Sequence, residues 1–307
     1  MDKFYRSLII ITGPTAIGKT GLAVFIAKQL HTEIISFDSR QFYKEMKIGT
    51  AVPTDEELAE VPHHFIQNLN IHDEYSVGDF ERDALQKIDE LFQKKNTIVM
   101  VGGSGLYEKA VTEGLDVFPE VDASIREELI SELNEFGIEK LQEELKISDP
   151  EYYEKVDIQN SHRIIRALEI CRGTGKTFSS FRKNDLKSRY FNVIKIGLEL
   201  PRHEIYERIN RRVDVMMNSG LLDEVKSLYK FKELNSLQTV GYRELFDYLD
   251  EKISLDFAVE EIKKNTRRYA KRQLTWYRKD ENIKWFSPFE KEEILQYILC
   301  HSERNGM

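Results

Sequence analysis

Chemistry in this sequence is concentrated in three short runs and one arginine. Gly13-Pro14-Thr15-Ala16-Ile17-Gly18-Lys19-Thr20 has the spacing of a phosphate-binding loop. Gly13 and Gly18 let the backbone curl so that successive N–H groups point inward. Lys19 adds a full positive charge, and the Thr20 hydroxyl suits a Mg²⁺ that bridges phosphate oxygens. A diphosphate or triphosphate is what such a loop binds. Asp38-Ser39-Arg40-Gln41 ends a short apolar run, where a carboxylate acts as a base, caps the next turn or holds a metal-bound water. Gly102-Gly103-Ser104-Gly105 ends another run. A nucleotide hydrolase is expected to carry an acidic residue there, whereas glycines and a hydroxyl allow close backbone approach and a donor to phosphate or substrate. Arg212 leans into the apolar stripe of Ile205, Ile209, Val213 and Met216 on a helical wheel. A guanidinium there needs an anion, either a protein carboxylate or a substrate phosphate.

The elements that must position these groups alternate. Leu8–Ile11 reads as a strand running through the glycine loop into a helix that continues to about Leu30. Glu33–Phe37 and Thr97–Val101 read as buried strands, Asp79–Gln93 as a helix between them, and Tyr190–Leu200 as the next strand. This order predicts an α/β fold with a phosphate-loop core and a parallel sheet. Between its parts, Ser124–Leu145 reads as a helical hairpin broken near Gly137, and Ser161–Cys171 as a helix carrying His162, Arg163 and Arg166. The predicted division is a catalytic core of 1–121 and 190–307 with C-terminal helices, and a helical insertion of 122–189.

Charge is unevenly spread. The chain of 307 residues carries a net charge of −8, yet Lys263 to Lys279 holds eight Lys/Arg and no acid. A second basic zone from Arg163 to Lys195 is opposed only by Glu169 and Asp185, while acids gather in Asp55–Glu60 and Asp122–Glu151. In the first run Val259, Ile262, Thr266, Tyr269, Gln273 and Trp276 are spaced to face the protein, and Lys264, Arg268 and Arg272 stack on another face. Such like charges repel, so the face is either solvated or meets a polyanion. The pair His63-His64 has no further ligand cluster, and Cys171 and Cys300 have no C-x-x-C partner, which argues against a metal site and a disulfide framework. No apolar run approaches about eighteen residues and no charged-then-apolar leader is present, so the expectation is a cytoplasmic protein with no membrane span.

The three runs, Gly49-Thr50-Ala51, Gly102 to Tyr107, Arg163 to Glu169, Gly241-Tyr242-Arg243-Glu244 and Ala270 to Arg278 together resemble the bacterial tRNA dimethylallyltransferases, from about Leu8 to Phe286 and in the family's order. The resemblance implies that dimethylallyl diphosphate, rather than a nucleoside triphosphate, occupies the loop with Mg²⁺ near Thr20. Its prenyl group would pass to the exocyclic amine of adenosine 37 of tRNA, on a monomeric enzyme. Asp38 matches the general base, Ser104 a hydroxyl at the reacting centre, and Arg212 a diphosphate contact. Ser39, Arg40 and Gln41 fall in the turn that meets the flipped adenosine. His162, Arg163 and Arg166, Gly241, Tyr242 and Arg243, and Lys271, Arg272, Gln273, Trp276 and Arg278 fall in tRNA-contacting segments. Ser104 stands where the family usually has threonine, Ile17 where it has a small polar residue, and Val52 where it has lysine. Two other readings compete: a small-molecule or nucleotide kinase, which gives no reason for the basic run, and a nucleotide-gated RNA-binding module, which leaves Asp38 and Ser104 idle.

Overall fold

The computed structural model describes residues 6–183 and 187–303. Positions 1–5, 184–186 and 304–307 of the expected division, Asp185 among them, lie outside the described residues. In chain order come strand β1 (Ser7–Thr12), helix α1 (Lys19–Gln29), β2 (Ile34–Ser36), α2 (Asp55–Glu60), β3 (His63–His64), α3 (Val77–Phe92), β4 (Thr97–Val101) and α4 (Gly105–Glu113). Helices α5 (Ala123–Phe136), α6 (Ile138–Ser148), α7 (Pro150–Tyr153) and α8 (Ser161–Thr174) follow. The chain then returns through β5 (Asn192–Leu198), α9 (Arg202–Asn218), α10 (Leu221–Leu228), α11 (Tyr242–Leu249), α12 (Leu255–Tyr277), β6 (Ile283–Phe286) and α13 (Lys291–Glu303).

Among the described residues the strands form one sheet in the order β3-β2-β4-β1-β5-β6, with every pairing parallel. β1 is buried along its whole length because both faces are covered. Ile9 and Ile11 pack with α1 residues Leu22 and Ile26 and with Ile205 and Ile209 of α9. Leu8 and Ile10 pack with Phe80, Ala84 and Ile88 of α3. A parallel sheet aligns its carboxyl ends, and the segments leaving β1, β2 and β4 are the phosphate loop, the Asp38 turn and the Gly102–Ser104 turn. Strands β3 and β6 and helix α13 have no counterpart in the sequence reading. Helices α9 to α12 add a third apolar cluster around Leu221, Val225, Tyr242, Leu245 and Ile262.

The chain divides into two compact units, residues 1–113 with 188–307, and residues 114–187. The second starts earlier than the expected residue 122 because Phe118 stacks on Phe178 at a centroid distance of 4.7 Å and Val121 lies against Gly173. Within it α5, α6 and α8 bury Leu129, Leu141, Leu145, Ile164 and Leu168, and Arg172 is paired with Glu132 at 2.8 Å and Glu144 at 2.6 Å. Gly137, at φ 81°, breaks the α5–α6 hairpin.

Glu224 of α10 ties a distant turn to the helices. Its carboxylate accepts from the backbone N–H groups of Lys47, Ile48 and Gly49 at 2.7–3.0 Å and from the Tyr242 hydroxyl at 2.6 Å. Gly49 must be glycine, since a Cβ would sit 2.5 Å from the Tyr242 ring. Removing the carboxylate leaves several donors without a partner. Glu224→Ala is therefore expected to lower unfolding free energy by about 2–4 kcal/mol, and Tyr242→Phe by about 1–2 kcal/mol, in chemical denaturation.

Candidate functional site: a phosphate loop between two cavities

The phosphate loop forms because three residues accept positive φ: Gly13 at 142°, Ala16 at 64° and Gly18 at 105°. Gly13 also lies so close to β5 that a Cβ would be 2.8 Å from the Leu198 carbonyl oxygen. Ile17, the departure from the family pattern, points into the core and is fully buried, so a polar side chain there would lose apolar contacts with the α1 cluster. Lys19 opens α1, and its ammonium donates to the carbonyls of Gly13 at 3.0 Å and Pro14 at 2.9 Å. Burial lowers its pKa to about 8, with Asp38 opposing the shift and Arg212 adding to it. Thr20 lines the same cavity, and its hydroxyl has no hydrogen-bond partner among the described residues.

Asp38 follows β2 and takes the backbone N–H of Arg40 on Oδ1 at 3.3 Å, so it does cap its own turn. It also lines two cavities. A cavity of about 500 Å³ runs over Thr15, Lys19, Thr20 and Asp38 to Arg208, Arg211 and Arg212 on α9. A second, of about 380 Å³, is lined by Ser39, Arg40, Gly241, Arg243, Tyr269 and Arg272. Thr15, Asp38 and Arg212 line both. Arg212 has no ion pair among the described residues. Burial pushes its guanidinium below the ordinary arginine range and Asp38 opposes the shift, which removes the structural salt bridge as an account of this residue. Ser104 meets the Asp38 turn directly: Ser39 donates its backbone N–H to Ser104 Oγ at 3.1 Å, and the two hydroxyls are 3.1 Å apart. Burial raises the Tyr269 phenol pKa, with Asp38 adding to the shift and Ser104 opposing it through a hydrogen bond.

Several expected contacts have other partners. Arg40 donates to the carbonyls of Asn235 and Ser236, and Gln41 to those of Thr50 and Ala51, so both hold the walls of the cavities they line. Gln273 and Tyr242, expected at a tRNA surface, are buried. Tyr242 is committed to Glu224, and both ends of the Gln273 amide are bonded within the core. The Gly241 N–H donates to Glu244, which anchors α11 to Asn265 of α12. Trp276, expected to face inward, is 43% exposed.

The basic run separates into two sets. Lys263 pairs with Asp214 and Glu260, Lys264 with Glu261, Arg267 with Asn210 and Arg278 with Glu199. Arg268 bonds the Asn265 side chain at 3.3 Å, and with Lys271, Arg272, Thr275, Trp276 and Lys279 it lines an open groove of about 420 Å³. Arg272 reaches from that groove into the second cavity, its guanidinium 5.7 Å from the centre of the Tyr269 ring. In the other unit His162, Arg163 and Arg166 are exposed on α8, Arg166 also bonding Glu169 at 3.1 Å. The histidine pair is structural: His63 Nδ1 bonds the Val61 carbonyl and His64 Nε2 bonds Glu33. Among the described residues no group of three or more His, Cys, Asp or Glu could hold a metal ion, and no helix is long and apolar enough to cross a membrane. Arg208 and Arg211 escaped the sequence reading, although their spacing with Arg212 on one helix was visible there.

The profile of the IPP transferase family matches residues 41–280. The tRNA dimethylallyltransferase of Christiangramia forsetii is 59% identical over 292 residues, covering 95% of this chain and 97% of that protein. That of Flavobacterium psychrophilum is 55% identical over 298 residues, with 95% and 97% covered. Among solved structures, the full-length tRNA isopentenylpyrophosphate transferase of Bacillus halodurans superposes with a TM-score of 0.73 at 39% identity, over 97% of each chain. A eukaryotic dimethylallyltransferase acting on tRNA does so with a TM-score of 0.71 at 27% identity, over 89% of this chain and 70% of that one. This chain belongs to the IPP transferase family.

Proposed function

We propose that this protein transfers the dimethylallyl group of dimethylallyl diphosphate to the exocyclic N6 amine of adenosine 37 in tRNA, releasing diphosphate, and works as a monomer. One observation carries the reading beyond the family: the phosphate cavity and the second cavity meet at Asp38 and Arg212. A donor diphosphate on the loop and an unstacked base in the second cavity would then present their reacting atoms at that junction.

The adenine amine is a weak nucleophile because its lone pair is delocalised into the ring. Asp38 accepts an N6 proton as the new C–N bond forms, and the allylic C–O bond breaks with its electron pair leaving on the diphosphate. The loop amides, Lys19 and Arg212 stabilise the negative charge gathering there. The Thr20 hydroxyl is a hard oxygen donor suited to Mg²⁺, and such an ion would be held there together with the diphosphate oxygens. Bound there, Mg²⁺ would neutralise leaving-group charge. Ser104 holds the Asp38 turn through Ser39. The groove beside Trp276 offers cations and an aromatic face to an RNA loop. A kinase reading gives no role to that groove.

A paired assay tests the proposal. With unmodified tRNA bearing adenosine 3′ of its anticodon, label from dimethylallyl diphosphate is expected in the tRNA, and label from γ-labelled ATP is not. Phosphate transfer alone would replace the reading with the kinase one. Asp38→Ala is expected to lose about 10²–10⁴ of turnover while tRNA affinity stays within about twofold. Arg272→Ala is expected to weaken tRNA binding and flatten its salt dependence by about one phosphate contact. Lys19 loses its proton near pH 8 in the free protein, and a bound diphosphate would raise that pKa. Donor kcat/KM is therefore expected to fall as pH rises through about 8, with kcat falling only at higher pH.

A further inference from the structure

The family resemblance sets Gln273 in a tRNA-contacting segment, the helical spacing turns it toward the protein, and the structure agrees with the spacing. Its side chain is 5% exposed. Oε1 accepts the backbone N–H of Thr15 at 2.9 Å, and Nε2 donates to the Gly103 carbonyl at 2.9 Å. One primary amide, with one acceptor end and one donor end, thus bridges the phosphate loop after β1 to the glycine turn after β4. The fit is tight, since a Cβ on Gly103 would lie 2.2 Å from Gln273 Nε2 and 3.8 Å from Lys19 Nζ. One turn further along α12, the Trp276 indole covers Gly105, where a Cβ would lie 2.2 Å from Nε1.

We propose that Gln273 is a positioning residue for the prenyl donor, fixing the Thr15 peptide so that the loop amides keep their aim at the diphosphate. The inference rests on reading the loop as the donor site. Thr15 stands midway in the loop, between Gly13, whose carbonyl Lys19 bonds, and Gly18, the N-cap of α1. With its N–H held from outside, that peptide does not rotate, and the spacing of the amides on either side is set. The neighbouring residues Lys271, Arg272 and Trp276 line the basic groove, so one helix orients the donor loop through its buried face and carries a cationic surface on its other face.

The test uses Gln273→Met, which keeps length and volume but removes both hydrogen bonds, and Gln273→Glu, which keeps an acceptor for Thr15. Each is compared with wild type for donor KM, kcat and affinity for the tRNA, with thermal unfolding to establish that it is folded. Gln273→Met is expected to raise donor KM about tenfold or more while tRNA affinity stays within about twofold, and Gln273→Glu, whose carboxylate opposes the Gly103 carbonyl and adds negative charge beside the donor loop, to raise donor KM at least as much. Should Gln273→Met weaken tRNA binding and leave donor KM alone, Gln273 is a tRNA contact and the proposal is overturned. An unchanged donor KM in a folded variant overturns it equally, and if Gln273→Met does not fold, the donor KM of Gln273→Glu decides in the same way. Absence of prenyl transfer by wild type would instead strike the reading of the site itself.

Discussion

Lys19 and Arg212 are held where burial disfavours their charge; Arg212 adds to the shift on Lys19, and Asp38 is the carboxylate that opposes the shift on both. Keeping Lys19 protonated at neutral pH in these surroundings costs about 3 kcal/mol relative to water. A multiply charged anion between the two cations turns their mutual cost into a gain, because charge that is unfavourable beside another cation becomes favourable beside phosphate. The remainder of the site supports that pair. The parallel sheet delivers the loop, the Asp38 turn and the Ser104 turn to the carboxyl ends of its strands, and α9 brings Arg212 to the same cavity with Arg208 and Arg211 beside it.

The second consequence concerns geometry. A base that accepts a proton from an amine and a loop that withdraws a leaving group must act on two sides of one carbon, so their cavities must communicate. Asp38 and Arg212 stand at that junction. The walls are fixed by side chains that do no chemistry. Arg40 and Gln41 hold backbone carbonyls across the second and first cavities, and Glu224 pins the Gly49 turn. Many polar residues in the family's motifs are thus scaffolding for a small number of reacting groups.

What the sequence revealed follows from range. The phosphate loop, the strands flanking it and the positions of Asp38 and Ser104 depend on neighbours within a few residues, and they were legible. Gly137 and the helices around it were legible for the same reason. Strands β3 and β6 were not, since two and four residues at the sheet edges carry no period of their own and exist only by pairing with β2 and β5. The resemblance sets Gln273 and Tyr242 in tRNA-contacting segments, while the spacing of Gln273 on its helix already turns it toward the protein, as found. Their partners, Thr15, Gly103 and Glu224, are far away in sequence. Likewise the acids that relieve Lys263 and Lys264 lie on α9 and one turn earlier on α12, outside the run whose charge was counted.

The measurement that bears most directly on the account is the proton balance of donor binding. Dimethylallyl diphosphate is titrated into the protein without tRNA at pH 8, in buffers of different ionisation enthalpy, so that the slope of the observed heat gives the protons exchanged. With Lys19 near its pKa in the free protein and fully charged against diphosphate, the account predicts uptake of about half a proton, rising as pH increases toward 9 and vanishing in Lys19→Met. Tight binding with no uptake would contradict it, because the charge on Lys19 would then owe nothing to the ligand.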